Sequence, residues 1–68
     1  MFRKGTKVTL KTTLVRKKYY GPLPYFEDLE VWQGEKMTIQ RGYTKLGSVL
    51  YIVEENNYIW AEDMLCIY

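Results

Sequence analysis

The chain contains no histidine and a single cysteine, Cys66. Without imidazole, the side chain best suited to proton transfer near neutral pH is missing. One thiol cannot close an intrachain disulfide, and zinc sites built from cysteine and histidine lack donors. The two prolines, Pro22 and Pro24, fall in one stretch. No apolar run is longer than that of residues 49–53, whereas a helix needs about 20 apolar residues to span a bilayer. Met1-Phe2-Arg3-Lys4-Gly5 has charge with no apolar segment behind it, so nothing there reads as a secretory signal. These absences lead to the expectation of a cytoplasmic, non-catalytic protein with no cofactor, no metal site, no membrane contact and no small-molecule substrate. A lone thiol suits a reducing compartment.

What the chain does have is aromatic mass and lopsided charge. Its 68 residues read as one domain, residues 1–68, and a chain of this size buries only about 60% of its unfolded surface. Two Trp, seven Tyr and two Phe supply large buried areas that offset the entropy of ordering so short a chain. Residues 1–26 hold seven basic residues and no acid, while residues 27–68 hold three basic and eight acidic ones, giving halves of +7 and −5. Either the halves attract each other within the fold or they offer a basic and an acidic face to partners.

Residues 5–12 alternate, with Val8 and Leu10 on one face and Lys7, Thr9 and Lys11 on the other, as a half-buried strand does. The basic cluster Arg16-Lys17-Lys18 and then Tyr19-Tyr20-Gly21-Pro22-Leu23-Pro24-Tyr25 read as loop, because proline breaks a strand ladder. Tyr25, Phe26, Leu29 and Trp32 fall at helical spacing, which predicts two turns of helix ended by Gly34, with Glu27 and Asp28 favourably placed in its first turn. Met37 and Ile39 alternate inward in the next strand, residues 42–47 carry a glycine at each end as a turn or flexible loop would, and residues 48–53 are apolar on both faces. Asn56 and Asn57, able to adopt positive φ, close a hairpin onto Tyr58-Ile59-Trp60. The chain ends with a helical turn over Glu62-Asp63 and a last short strand carrying Leu65 and Cys66, the thiol reading as buried. Five short strands with one helical interruption make a compact barrel or a strongly bent sheet.

The order of a basic first strand, a Tyr-Gly loop, a short helix near Gly34-Glu35-Lys36, the strand Met37-Thr38-Ile39, a hairpin strand with Tyr51 and the close Trp60-Ala61-Glu62-Asp63-Met64-Leu65 resembles small SH3-like barrel proteins of bacteriophages and prophages of Gram-positive bacteria. The family pattern has a plain Gly-Lys before its strand and Trp-Thr-Glu-Glu-Met-Leu at its close. Here Glu35 intervenes, and Ala61 and Asp63 replace Thr and Glu. The resemblance spans nearly the whole chain and implies a mostly β fold: a five-stranded SH3-like barrel with a short helix in the long first loop and a helical turn before the last strand. It also implies a phage-encoded viral protein and a host cytoplasm. It names no activity.

Two binding surfaces compete. If Val49, Tyr51 and Val53 fill the core, then Leu50 and Ile52 project outward with Ile59 beside them, and Tyr19, Tyr20 and Tyr43 stand at the loops. Such an aliphatic patch marks a protein partner, with inhibition of a host factor one outcome, or a homodimer, unless the helix of residues 25–33 folds over it. Alternatively, Lys7, Lys11, Arg16, Lys17 and Lys18 line up beside Tyr19 and Tyr20, the pattern of single-stranded nucleic-acid binders. Eight acids and a pI near 8.7 weigh against that. The carboxylate pairs Glu27-Asp28, Glu54-Glu55 and Glu62-Asp63 are adjacent in sequence, so each pair points apart.

Overall fold

The computed structural model describes residues 2–68; Met1, read above with the N-terminal segment, lies outside the described residues. The chain forms β1 (Lys7–Leu10), a small hairpin of β2 (Tyr19–Tyr20) and β3 (Leu23–Pro24), a 3-10 helix (Glu27–Trp32), β4 (Met37–Lys45), β5 (Ser48–Val53), β6 (Ile59–Ala61), a second 3-10 helix (Glu62–Met64) and β7 (Leu65–Ile67). Five of these strands make one antiparallel sheet in the order β6-β5-β4-β1-β7. The fold is therefore mostly β, with five main strands, a helical interruption in the long first connection and a helical turn before the last strand. Closure is absent: β6 and β7 are the two edges of the sheet, and no strand pairing joins them.

Alternation in β1 works as read, with Val8 and Leu10 buried and Lys7 exposed. In β4 three consecutive residues, Met37, Thr38 and Ile39, are buried. Thr38 is tolerated because its N–H and hydroxyl both donate to the Glu55 carboxylate, at 2.6 and 2.8 Å. Trp60, Tyr51 and Tyr25 are the largest side chains wholly out of solvent. Truncating a buried Trp costs about 3–5 kcal/mol, which is comparable to the whole stability expected of a domain this small.

Tyr51 joins four parts of the chain. Its ring stands over Gly42 on the paired strand, where an added Cβ would lie only 2.8 Å from Tyr51 Cε1. The Phe2 ring packs against it with centroids 5.4 Å apart. Its hydroxyl accepts from the Phe2 N–H at 2.8 Å and donates to Glu62 Oε1 at 3.0 Å. The buried Trp60, its partner across β5 and β6, donates its indole N–H to Asn56 Oδ1 at 3.2 Å.

Several expectations are corrected. The 25–33 segment makes a 3-10 helix, with Leu29 N–H bonded to Phe26 O and Gln33 N–H to Glu30 O. Six residues are too few for an α-helix to be favoured, and short connectors commonly settle in this tighter form. Phe26 is exposed, whereas Leu29 and Trp32 pack on the core. The stretch around the prolines is a hairpin: Pro24 pairs with Tyr19 without needing an N–H, because the ladder bond beside it runs from Tyr25 N–H to Lys18 O at 3.0 Å. Residues 42–45 belong to β4, which turns into β5 through Leu46 and Gly47 alone, at φ 52° and 77°. Positive φ at both central residues is what a tight two-residue hairpin loop needs. Neither Asn56 nor Asn57 has positive φ; Asn56 shapes its turn through its side chain, whose oxygen accepts from the Tyr58 N–H at 3.0 Å. Cys66 is half-buried on β7.

Leu50 is the main correction to the outer patch. It is only 2% exposed and belongs to the core. The first 3-10 helix packs chiefly on β1. The β2–β3 hairpin approaches the start of β5: Tyr20 and Leu23 pack against the core, and Gly21 lies so close to Ser48 that an added Cβ would sit 2.8 Å from its Oγ. Ser48 shares a face of β5 with Leu50 and Ile52.

Because the Tyr51 ring is wholly buried and held at its hydroxyl, it cannot swing clear of a side chain at position 42. Gly42→Ala is expected to destabilise the fold by about 1–3 kcal/mol, read as a lower urea midpoint. An unchanged midpoint would show that the ring has room to move.

Candidate functional site

Strand register assembles one outer face from β4, β5 and β6. Arg41 faces Ile52 and Ile52 faces Ile59; one step along, Tyr43 faces Leu50 and Leu50 faces Ala61; at the hairpin end Lys45 faces Ser48. Directly paired residues project to the same side, so these rows form a single surface. The middle row is closed over Leu50 and Ala61, each 2% exposed. The outer row stays open, with Ile52 half-buried and Ile59 42% exposed on the edge strand. The face therefore brings together Ile52, Ile59 and Tyr43, with the β2–β3 hairpin approaching its Ser48 end, while Leu50 is buried within it.

The hairpin is held by its aromatics. Tyr20 is half-buried, its hydroxyl accepts from the Val15 N–H at 2.8 Å, and Lys18 Nζ stands 5.5 Å from its ring centroid. Tyr25 is completely buried and accepts from Gln33 Nε2 at 3.2 Å. Burial, followed by the nearby Glu30 charge, pushes its phenol upward, so it remains a neutral anchor. Tyr19 points away from this packing, 65% exposed.

The five cations proposed for a nucleic-acid surface have different surroundings. Arg16 is taken up by Glu30, which receives both guanidinium Nε and Nη2, and by Glu27 at 3.8 Å. The hydrogen bond and charge of Glu30 raise the Arg16 pKa, and the same hydrogen bond lowers that of Glu30. Lys7 donates to Thr38 Oγ1 at 2.9 Å, next to the Glu55 carboxylate. Lys11 is half-buried at the end of β1. Lys17 and Lys18 are exposed, Lys17 at φ 67° in the turn that starts the hairpin. The opposed charges of the two halves thus neutralise locally, at Arg16 and around Lys7, and leave Lys17 and Lys18 outside.

An open pocket lined by Arg16, Lys17, Phe26, Glu27 and Asp28 lies beside the Arg16 ion pair. Of its two cations, Arg16 is already matched by carboxylates. Among the described residues, no three side chains of the His, Cys, Asp and Glu types come together to hold a metal ion, and no helix is long and apolar enough to cross a membrane.

Three surface residues escape sequence reasoning. Arg41 and Lys45 join the face only because β4 continues through residues read as loop, and Leu46 occupies a turn position for which leucine gives no signal. The detectable clue was the run from Gln40 to Val53, where a two-residue turn aligns polar and apolar positions across the hairpin.

The Glu55 carboxyl is pushed up by desolvation, but the Thr38 backbone and side-chain hydrogen bonds and the Lys7 charge together hold it below its ordinary value of 4.5. A lowered folded-state pKa means this contact contributes fully above the unfolded value and is lost as pH falls through the folded one. Stability should therefore decline on acidification below about pH 4.5. The Glu55→Gln variant should be less stable at neutral pH and show a flatter acid slope in denaturant titrations; parallel curves for the two proteins would count against this role.

Comparison with protein-family models, with curated proteins and with solved structures finds no match in any of the three.

Proposed function

We propose that the protein is a non-catalytic protein-binding module of SH3-like type, phage-encoded and acting in the host cytoplasm, which docks its open outer face on another protein or on a second copy of itself. Support for the fold type comes from the strand order β6-β5-β4-β1-β7 and from the helical turn between β6 and β7. The phage setting rests on the resemblance of the sequence alone. Interference with a host factor follows from that setting.

One observation carries the binding reading. Ile52, half-buried on β5, and Ile59, 42% exposed on the edge strand β6, stand directly opposite each other, one row beyond the buried pair Leu50 and Ala61. A paired aliphatic row beside Tyr43 and Arg41 combines the apolar core and polar rim of a protein interface. The nucleic-acid reading is weaker because Arg16 and Lys7 have partners within the fold.

Ile59→Lys is the direct test. At a position 42% exposed the change should alter stability by no more than about 0.5 kcal/mol. Within an interface it should weaken association by roughly 2 kcal/mol, about 30-fold. Sedimentation of the wild type over a concentration series, together with affinity capture from host extract, should show a dimer or a specific partner that the variant loses. Indifference of both assays to Ile59→Lys would sink the proposal. Salt-sensitive oligonucleotide binding, lost on Lys17→Ala with Lys18→Ala, would replace it with the nucleic-acid reading.

A further inference from the structure

Leu46 is the most exposed of the large apolar residues, 83% accessible, and it sits at φ 52° at the tip of the β4–β5 hairpin. For an L-residue with a Cβ the left-handed region is disfavoured, and this first position of a two-residue turn is normally filled by Asn, Asp or Gly. Folding gains nothing visible from leucine here: the side chain is outside the core, and Gly47 already supplies the second positive φ at 77°. Strain kept at an exposed residue points to a use beyond folding.

The surroundings define that use. The Leu46–Gly47 turn adjoins the β2–β3 hairpin through the close approach of Gly21 to Ser48, the residue that immediately follows the turn. That second hairpin carries Tyr19, 65% exposed. Residues 17–25 and 41–48, which make up these two hairpins, include Lys17, Lys18, Arg41 and Lys45 and no acidic residue. Among the described residues none of these four cations has a carboxylate within 4.0 Å. The end of the molecule is thus cationic, unneutralised, and tipped by one aliphatic and one aromatic side chain.

We infer that this hairpin end is a docking tip for a protein partner with an acidic surface, in which Leu46 enters an apolar pocket and Lys18 and Lys45 meet the surrounding carboxylates. The inference rests on the protein-binding reading and adds to it a further contact beyond the Ile52 and Ile59 face, together with the charge of the partner. A polyanionic nucleic acid satisfies the lysines but not Leu46, which has no π-face to stack on a base and gains nothing from phosphate. An acidic protein surface with a pocket satisfies both. Complementary charge steers the encounter, and the buried leucine slows dissociation.

The test follows backbone amide shifts of the isotope-labelled protein on titration with a Glu- and Asp-rich peptide carrying one central Leu or Phe, with a Lys-rich peptide and a thymidine oligonucleotide as contrasts. The acidic peptide should move the amides of Lys45, Leu46, Gly47 and Tyr19, with an affinity that falls as salt rises. Leu46→Asn should weaken binding at least tenfold while raising the thermal midpoint, because asparagine suits the turn better; Lys18→Ala with Lys45→Ala should flatten the salt dependence. Absence of binding by the acidic peptide, an affinity unchanged by Leu46→Asn, or a lowered midpoint in that variant would each overturn the inference. Shifts confined to Ile52 and Ile59 would overturn it while leaving the broader protein-binding reading intact. Shifts of the tip by the oligonucleotide alone would overturn both.

Discussion

The rest of the structure depends on Tyr51 having nowhere else to go. Its ring fills the space left by the missing side chain of Gly42, faces Trp60 on the next strand and touches Phe2 from the start of the chain. Its hydroxyl uses both of its hydrogen-bonding roles, accepting from Phe2 and donating to Glu62. Burial pushes the phenol pKa upward, so the proton that reaches Glu62 stays in place. A phenylalanine would fill the same volume and leave the half-buried Phe2 N–H without this acceptor, a loss of about 1 kcal/mol. In a domain with one small core, a single side chain that fixes the chain start, the central hairpin and the second 3-10 helix replaces the staple that a disulfide or metal would otherwise provide.

Sequence reasoning recovered the elements whose signals are local. Alternation located β1 and the start of β4, the doubled apolar faces located β5, and the Glu62-Asp63 break located the second 3-10 helix. Where a residue was judged by type alone, the reading failed. Pro24 enters a strand because Tyr25 makes the ladder bond beside it; Leu46 occupies a left-handed turn position that leucine does not advertise; Asn56 builds a turn with its side-chain oxygen instead of its backbone. Of the candidate site, the exposure of Tyr19 and Ile59 was legible, whereas Ile52 and Tyr43 are half-buried. The burial of Leu50 was not, because it follows from packing into the core between elements distant in sequence, which has no local signature.

The charge asymmetry shows how tertiary context divides a sequence-level quantity. The two halves meet at Arg16 with Glu27 and Glu30, where the long connection is fastened to its own helix, and at Lys7, Thr38 and Glu55, where β1, β4 and the turn after β5 converge. These contacts sit at seams of the fold. An exposed ion pair contributes only about 0–1 kcal/mol, so their main effect is to set where uncompensated charge remains. On the two hairpins that remaining charge is of one sign, Lys17, Lys18, Arg41 and Lys45.

Folding and recognition consequently draw on different residues to different degrees. Leu46 lies wholly outside the core and sits in a conformation that folding disfavours, so changes there move binding without weakening the domain. Ile52 is half-buried on a central strand, next to Leu50 in the core, and its outer surface is also part of the open face. Any change at Ile52 must therefore alter packing and recognition together. Ile59 lies between these cases, on an edge strand with one side open. A small domain with no spare core can adjust its binding most freely at positions that contribute least to folding, and in this chain those positions are the tips of its hairpins.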